Sequence, residues 1–231
     1  MRKFFAPALA ILMLAASLSV APPAAQAQGP GMISSILNKM DRNRKSLGSL
    51  RSGLVMQKYN AQLRDYESNT GDVQYVAGAS PSVRVDWRRP AELLAVSKGQ
   101  YTLYRPRLNQ AYQGSAKSQS KSNKVGNVLG FALNMSGAQA KNQFNIDLAG
   151  EGTLERGGPH VWWLKLTPRG AAGYQFAEIW VTDDGMPIQA RVTEKNGDST
   201  LVRLTNIQRN ARIDGNPFEI QLPAGTKIVR G

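Results

Sequence analysis

The residues able to do chemistry are few, and their spacing works against catalysis. His160 is the one histidine of the chain, set beside Gly157-Gly158-Pro159 and followed by Trp162 and Trp163. A lone histidine at a turn has no second imidazole for a metal site, and the absence of cysteine removes a thiolate nucleophile. Asp183 and Asp184 are adjacent acids, but Gly185 follows them. An Asp-Asp-Gly run suits the side-chain-to-backbone hydrogen bonds of a hairpin turn better than acid–base work. No glycine-rich phosphate loop or dinucleotide fingerprint occurs. The expectation is a binder with no catalytic residues, no metal and no cofactor, not an enzyme.

The start of the chain sets the compartment. Arg2 and Lys3 precede an uncharged apolar run from Phe4 to Val20, and Ala25-Gln26-Ala27 follows Pro22 and Pro23. A basic start, an apolar core and an A-x-A site predict a secretory signal peptide over residues 1–27, cut between Ala27 and Gln28. The mature chain, 28–231, then resides in the periplasm. Position 28 is glutamine where a lipid-anchored protein needs cysteine, so the protein is expected to be free of a lipid anchor.

Charge narrows the partners. The chain carries +13, and loss of Arg2 and Lys3 leaves +11 because the first 27 residues hold no acid. Such a balance suits an anionic membrane surface, an acidic protein face or nucleic acid. Export argues against nucleic acid, and no basic run is longer than Arg88-Arg89, with no nucleic-acid motif.

The elements that would position a binding site are mostly strands. Met32, Ile33, Ile36, Leu37 and Met40 recur at three- and four-residue spacing and predict one amphipathic helix, closed by Gly48. Further on, Phe176 to Thr182, Ile188 to Glu194, Leu201 to Ile207 and Phe218 to Leu222 read as strands. Asp184-Gly185 and Asn196-Gly197 mark the turns between them. The first half alternates likewise, with turns at Pro90 and Lys98-Gly99. An antiparallel meander of this kind excludes helix-crossover α/β folds.

Two stretches interrupt it. Residues 115–123 are polar and Ser/Lys-rich, an exposed loop. Val125 to Met135 is apolar and glycine-softened, a short helix that Ala138 to Leu148 continues. Val73, Tyr75, Val83, Val85 and Trp87 share strand parity, as do Ala177, Ile179 and Val181. With Leu103, and with Leu129 and Phe131 from the apolar segment, they are the candidate walls of an apolar ligand cavity. A hollow barrel and a filled one have the same alternation, so both readings stand at this point.

Order and spacing together resemble the LolA family of periplasmic lipoprotein carriers, over roughly Ile33 to Val229. The stretches that carry the resemblance are Trp163-Leu-Lys-Leu-Thr-Pro168, Phe176 through Gly185, Asn196-Gly-Asp-Ser-Thr200 and Phe218-Glu-Ile-Gln-Leu-Pro223. In the first half they are Pro81 through Trp87, Pro90, Lys98-Gly99 and Leu103-Tyr-Arg-Pro106. The resemblance implies a mostly β, α+β fold: one curved antiparallel sheet of about eleven strands forming an open half-barrel, with an N-terminal helix and short lid helices over an apolar cavity. It implies acylated lipoproteins or related lipids as cargo. It also implies transient contact with an inner-membrane lipoprotein-releasing transporter and an outer-membrane acceptor, and a monomer. Other readings are a carrier of a glycolipid or polyprenyl lipid, and a lipid-sensing regulatory module. Two positions depart from the family pattern. Ser80 stands where the family commonly has an arginine that helps hold the lid shut, and Thr102 or Leu103 replaces an aromatic.

Overall fold

A computed structural model describes residues 29–116, 128 and 131–230. Helix α1 spans Gly29–Ser46. Pro30 suits a first turn, where its missing N–H is not needed. Ile36, Leu37 and Met40 are buried along one stripe, while Arg44 and Lys45 lie in the last turn, where the helix dipole favours cations. The second helix, α2, is Gly137–Gln143, with a reciprocal capping box. Ser136 Oγ accepts from Gln139 N at 3.1 Å, and Gln139 Oε1 accepts from Ser136 N at 3.0 Å.

The rest is one twelve-stranded sheet in the order β12-β6-β5-β4-β3-β2-β1-β11-β10-β9-β8-β7. Its strands are β1 Ser49–Asn60, β2 Asp65–Val76, β3 Ser82–Arg88, β4 Ala91–Ser97, β5 Gln100–Arg105 and β6 Gln110–Ser115. They continue as β7 Phe144–Thr153, β8 His160–Pro168, β9 Tyr174–Thr182, β10 Pro187–Glu194, β11 Ser199–Arg209 and β12 Lys227–Arg230. Two antiparallel meanders, β1–β6 and β7–β11, meet where β1 pairs with β11, Leu54 opposite Leu204. The turns fall where their chemistry allows: Lys98 and Gly99 both take positive φ, 50° and 74°, as a two-residue hairpin of the primed type requires.

Three expectations are corrected. Phe218 to Leu222 is not a strand. The chain leaving β11 runs as an irregular strap to the far edge of the sheet, tied down on its way by Arg84 Nη1 donating to Pro217 O at 2.9 Å. Phe218, Ile220 and Leu222 are half-buried there, so their alternation reflects packing of the strap and not a ladder. The last strand is instead β12, and it pairs parallel to β6, so the sheet has twelve strands and is not wholly antiparallel. The helix starting near Ala138 does not reach Leu148. It stops at Gln143, and Phe144 opens β7, whose Ile146 and Leu148 face the same side as Leu166 and Leu164 of β8. Ser115 closes β6 opposite Gln100 and is not in a loop. The rest of that Ser/Lys stretch, from residue 117, lies outside the described residues, as do Leu129, Ala27, Gln28 and the signal-peptide segment.

Residues directly opposite on paired strands share a face, and this gives the sheet one covered, inner face. Under α1 and α2 lie Leu164, Leu166, Ile179 and Val181, packed with Ile36, Leu37, Met40, Ala140 and Phe144. Under residues 128 and 131–134, which are helical, lie Leu54, Val85, Trp87, Leu94, Val202 and Leu204. Each such aliphatic side chain taken from water contributes about 1.5–3 kcal/mol.

Candidate functional site

The structure brings the predicted wall residues to one face but divides them between the two clusters. Val73, Tyr75, Val83, Val85, Trp87 and Leu103 are buried in the cluster that Val128, Ala132 and Leu133 complete. The register explains it: Val73 lies opposite Val85, Val85 opposite Leu94, and Leu94 opposite Leu103, so four strands present one apolar row. Ala177, Ile179 and Val181 share that face across the seam but lie in the other half. Ile179 and Val181 pack under α1, and Phe131 packs against that same half, its ring edge-on to Phe144 at 5.8 Å.

The two covers are fastened differently. In the half under α1, Gly185 has φ +90° and packs directly on the Lys39 peptide, so a β-carbon there would overlap the Lys39 carbonyl. Sequence reading assigned Asp183 and Asp184 to turn chemistry, and the geometry agrees. Thr182 Oγ1 donates to Asp184, and Gly185 N donates to Thr182 O at 2.8 Å. Around that turn, Asn43 Nδ2 donates to Met186 Sδ at 3.3 Å, and Arg209 pairs with Asp184 while donating to Asn43 Oδ1 at 3.4 Å. Asp41 accepts from Gly137 N at 3.1 Å and so ties α2 to α1. His160 is structural here: its Nδ1 shares a hydrogen bond with Asp183 Oδ1 at 3.0 Å, and Trp162 Nε1 donates to the same oxygen at 2.9 Å. The His160 hydrogen bond leads in holding Asp183 below the usual carboxylate range, against desolvation and helped by Trp162 and Lys39.

Among the described residues the other half has a lighter fastening. Val128, Ala132 and Leu133 press on Ile188, Ala190, Val202 and Leu204, leaving a gap of about 10 Å³. The polar tie there is Tyr75 Oη donating to Asn134 Oδ1 at 2.6 Å. Burial pushes the Tyr75 phenol up, opposed by the charge of Arg44, so it stays a donor across the physiological range. Sequence places Tyr75 in the wall but gives no sign of its bond to Asn134, nor of the Asp41 contact that ties α2 to α1. Ser80 lies in the bend between β2 and β3, and the tie to the cover is made by Tyr75 of β2. Only the spacing Ser136-x-x-Gln139 signals in sequence that a new helix begins after Asn134.

A larger hollow, of about 560 Å³, opens on the opposite face beside the β-bulge at Arg51–Gly53. Arg51, Thr70, Asp72, Gln74, Arg88 and Gln208 line it. Those polar groups would lose water on receiving an acyl chain, so the inner face is the place for an apolar ligand. Among the described residues no three of His, Cys, Asp and Glu gather as metal ligands do.

Comparison with known proteins agrees with this geometry. Residues 62–221 match the family described as outer membrane lipoprotein carrier protein LolA. An outer-membrane lipoprotein carrier protein of Bordetella avium (strain 197N) is 32% identical over 69 residues, which are 29% of this chain and 32% of that protein. The chain thus spans about a third of that relative's length. Among solved structures, an uncharacterized conserved protein from Thermus thermophilus superposes with a TM-score of 0.53 at 14% identity, covering 87% of this chain and 99% of that one. MucB superposes with a TM-score of 0.56 at 14% identity, covering 86% of this chain and 66% of that one. At such identities these two structures establish a shared fold and nothing narrower.

Proposed function

The chain belongs to the LolA family, and from that premise and the unequal fastening of its inner face we propose that it carries acyl chains of lipoproteins through the periplasm. One observation carries the reading: a continuous apolar row, Val73 to Leu103, lies under a short cover whose polar tie is Tyr75–Asn134. A gap of about 10 Å³ holds no acyl chain, since ligand pockets of this type run to about 300–1,000 Å³. Binding therefore requires residues 131–134 to lift off, and the ligand then takes over their contacts. Each buried CH₂ of an acyl chain gains about 0.8 kcal/mol. The displaced Val128, Ala132 and Leu133 return part of that as newly exposed surface. Uptake and release are thus kept near balance, which a carrier needs and a storage protein does not. The protein works without chemistry on its cargo, receiving it from an inner-membrane transporter and yielding it to an outer-membrane acceptor.

The test is titration of the purified protein with a fluorescent fatty-acyl probe, competed by an acylated peptide and by its unacylated twin. Saturable binding displaced by the acylated peptide alone is expected. Displacement by a glycolipid or polyprenyl lipid but not by acylated peptide would move the cargo to that class. No binding of any acyl ligand would sink the proposal.

A further inference from the structure

Four large apolar side chains stand exposed among the described residues: Leu63 at 74%, Tyr66 at 67%, Leu108 at 62% and Ile228 at 46%. The topology gathers all four at one end of the sheet. In a meander every second turn falls at the same end, so the β1–β2 turn (61–64), the β3–β4 turn (89–90) and the 3-10 turn Pro106–Leu108 before β6 share a rim. Lys227 opens β12 beside Gln110, the first residue of β6, and so brings Ile228 there too. The β1–β2 hairpin projects furthest: β3 pairs with β2 only from Gly71 onward, which leaves residues 65–70 with no partner in β3. Near its tip the rings of Tyr59 and Tyr66 lie tilted at 37° with centroids 4.7 Å apart.

The charges on this rim are unbalanced in one direction. Its acids are engaged: Glu67 pairs with Lys58 at 3.7 Å, Glu92 with Arg105 at 3.1 Å, and Asp65 accepts from Tyr66 N at 2.8 Å. Its exposed cations Arg64, Arg89, Arg107 and Lys227 form no ion pair among the described residues. The rim therefore presents separate apolar prongs with unpaired cations beside them. The prongs span five strand spacings, from the β1–β2 hairpin to β12, roughly 20–25 Å. Isolated prongs are a poor basis for a protein interface, which needs a continuous patch. A fluid surface accepts them singly, because it is apolar just below a layer of negative charge. No helix among the described residues is long and apolar enough to cross a membrane, so contact would be through this edge.

We propose that this rim docks on the surface of an anionic bilayer, Leu63 and Leu108 entering the headgroup boundary with Tyr66 at its level, and Arg64, Arg89, Arg107 and Lys227 meeting lipid phosphates. It is separate from the acyl-binding face, which is buried beneath the cover. The experiment is flotation of the secreted protein, its N-terminus read by mass spectrometry, with two kinds of vesicle. One is neutral phosphatidylcholine alone, the other an equal mixture with phosphatidylglycerol. Binding to the anionic vesicles only, released by high salt, is expected. Arg64→Gln with Arg107→Gln should weaken it about thirtyfold, and Leu63→Gln with Leu108→Gln should abolish retention at moderate salt. All four positions are exposed, so circular dichroism and acyl-probe binding should match the parent protein. Equal flotation with both vesicles, none with either, or variants that float like the parent would overturn the rim's role. Loss of probe binding by the parent protein would instead remove the cargo reading and leave the rim standing.

Discussion

The half of the inner face under α1 and the half under residues 128 and 131–134 are alike in composition and, among the described residues, unlike in attachment. Beneath α1, the Gly185 turn, Asn43, Met186, Asp184 and Arg209 form a connected set of contacts that fixes the helix against the sheet. Beneath the short segment, among the described residues, Val128, Ala132 and Leu133, the edge-on contact of Phe131 with Phe144 and one tyrosine hydroxyl do the holding. Apolar burial alone does not decide whether a surface is a core or a binding site. What decides is how much free energy fastens the piece that covers it, because local opening follows the weakest-held contacts.

That contrast can be broken or sharpened in three steps. The largest effect is expected from Gly185→Val, which forces a side chain onto the Lys39 peptide at a positive φ. Strain and overpacking together should cost roughly 3–4 kcal/mol, seen as a lower denaturation midpoint. A variant as stable as the parent would mean that α1 is held loosely too. Next, Ile179→Phe and Val85→Phe enlarge two fully buried side chains, one in each half. Under the fixed helix the extra volume should cost about 1–3 kcal/mol. Under the liftable cover, Val85→Phe should melt nearly as the parent does and lose acyl-probe binding. Equal melting losses would erase the distinction between the halves. The smallest effect is that of Tyr75→Phe, which removes the hydroxyl bonded to Asn134. It should cost about 1 kcal/mol and speed exchange of a bound probe in stopped flow, by loosening the cover. Slower exchange would show that the bond helps to open the face.

Much of this was legible because strand parity has a period of two. Val73, Tyr75, Val83, Val85 and Trp87 could be placed together from sequence, and so could Ala177, Ile179 and Val181, although not the seam between them. Their division into two regions depends on where α1 lands. That is set by Lys39 and Asn43 meeting Gly185 and Met186 more than a hundred positions later, a contact that leaves no local pattern. The strap was misread as a strand because Phe218, Ile220 and Leu222 alternate while resting on the sheet. β12 was missed because four residues, mostly exposed, carry too little alternation to stand out. The capping box at Ser136 was readable, but the apolar runs on either side favour one continuous helix.

The seam between the meanders has a consequence for how the chain acquires its shape. Every other antiparallel neighbour in the sheet is also a neighbour in sequence or nearly so, but Leu54 of β1 waits for Leu204, 150 positions later. Loop-closure entropy is lost before that pairing gives anything back, so zipping β1 to β11 is the slow event of folding. A chain made from its N-terminus has β1–β6 complete while β11 is still missing. Throughout that interval the outer edge of β1 is an open ladder beside a bare apolar face, which other chains can join. Aggregation during biogenesis should therefore be governed by β1, and a charged substitution at its exposed Gln57 is where that hazard can be tuned without touching the finished fold.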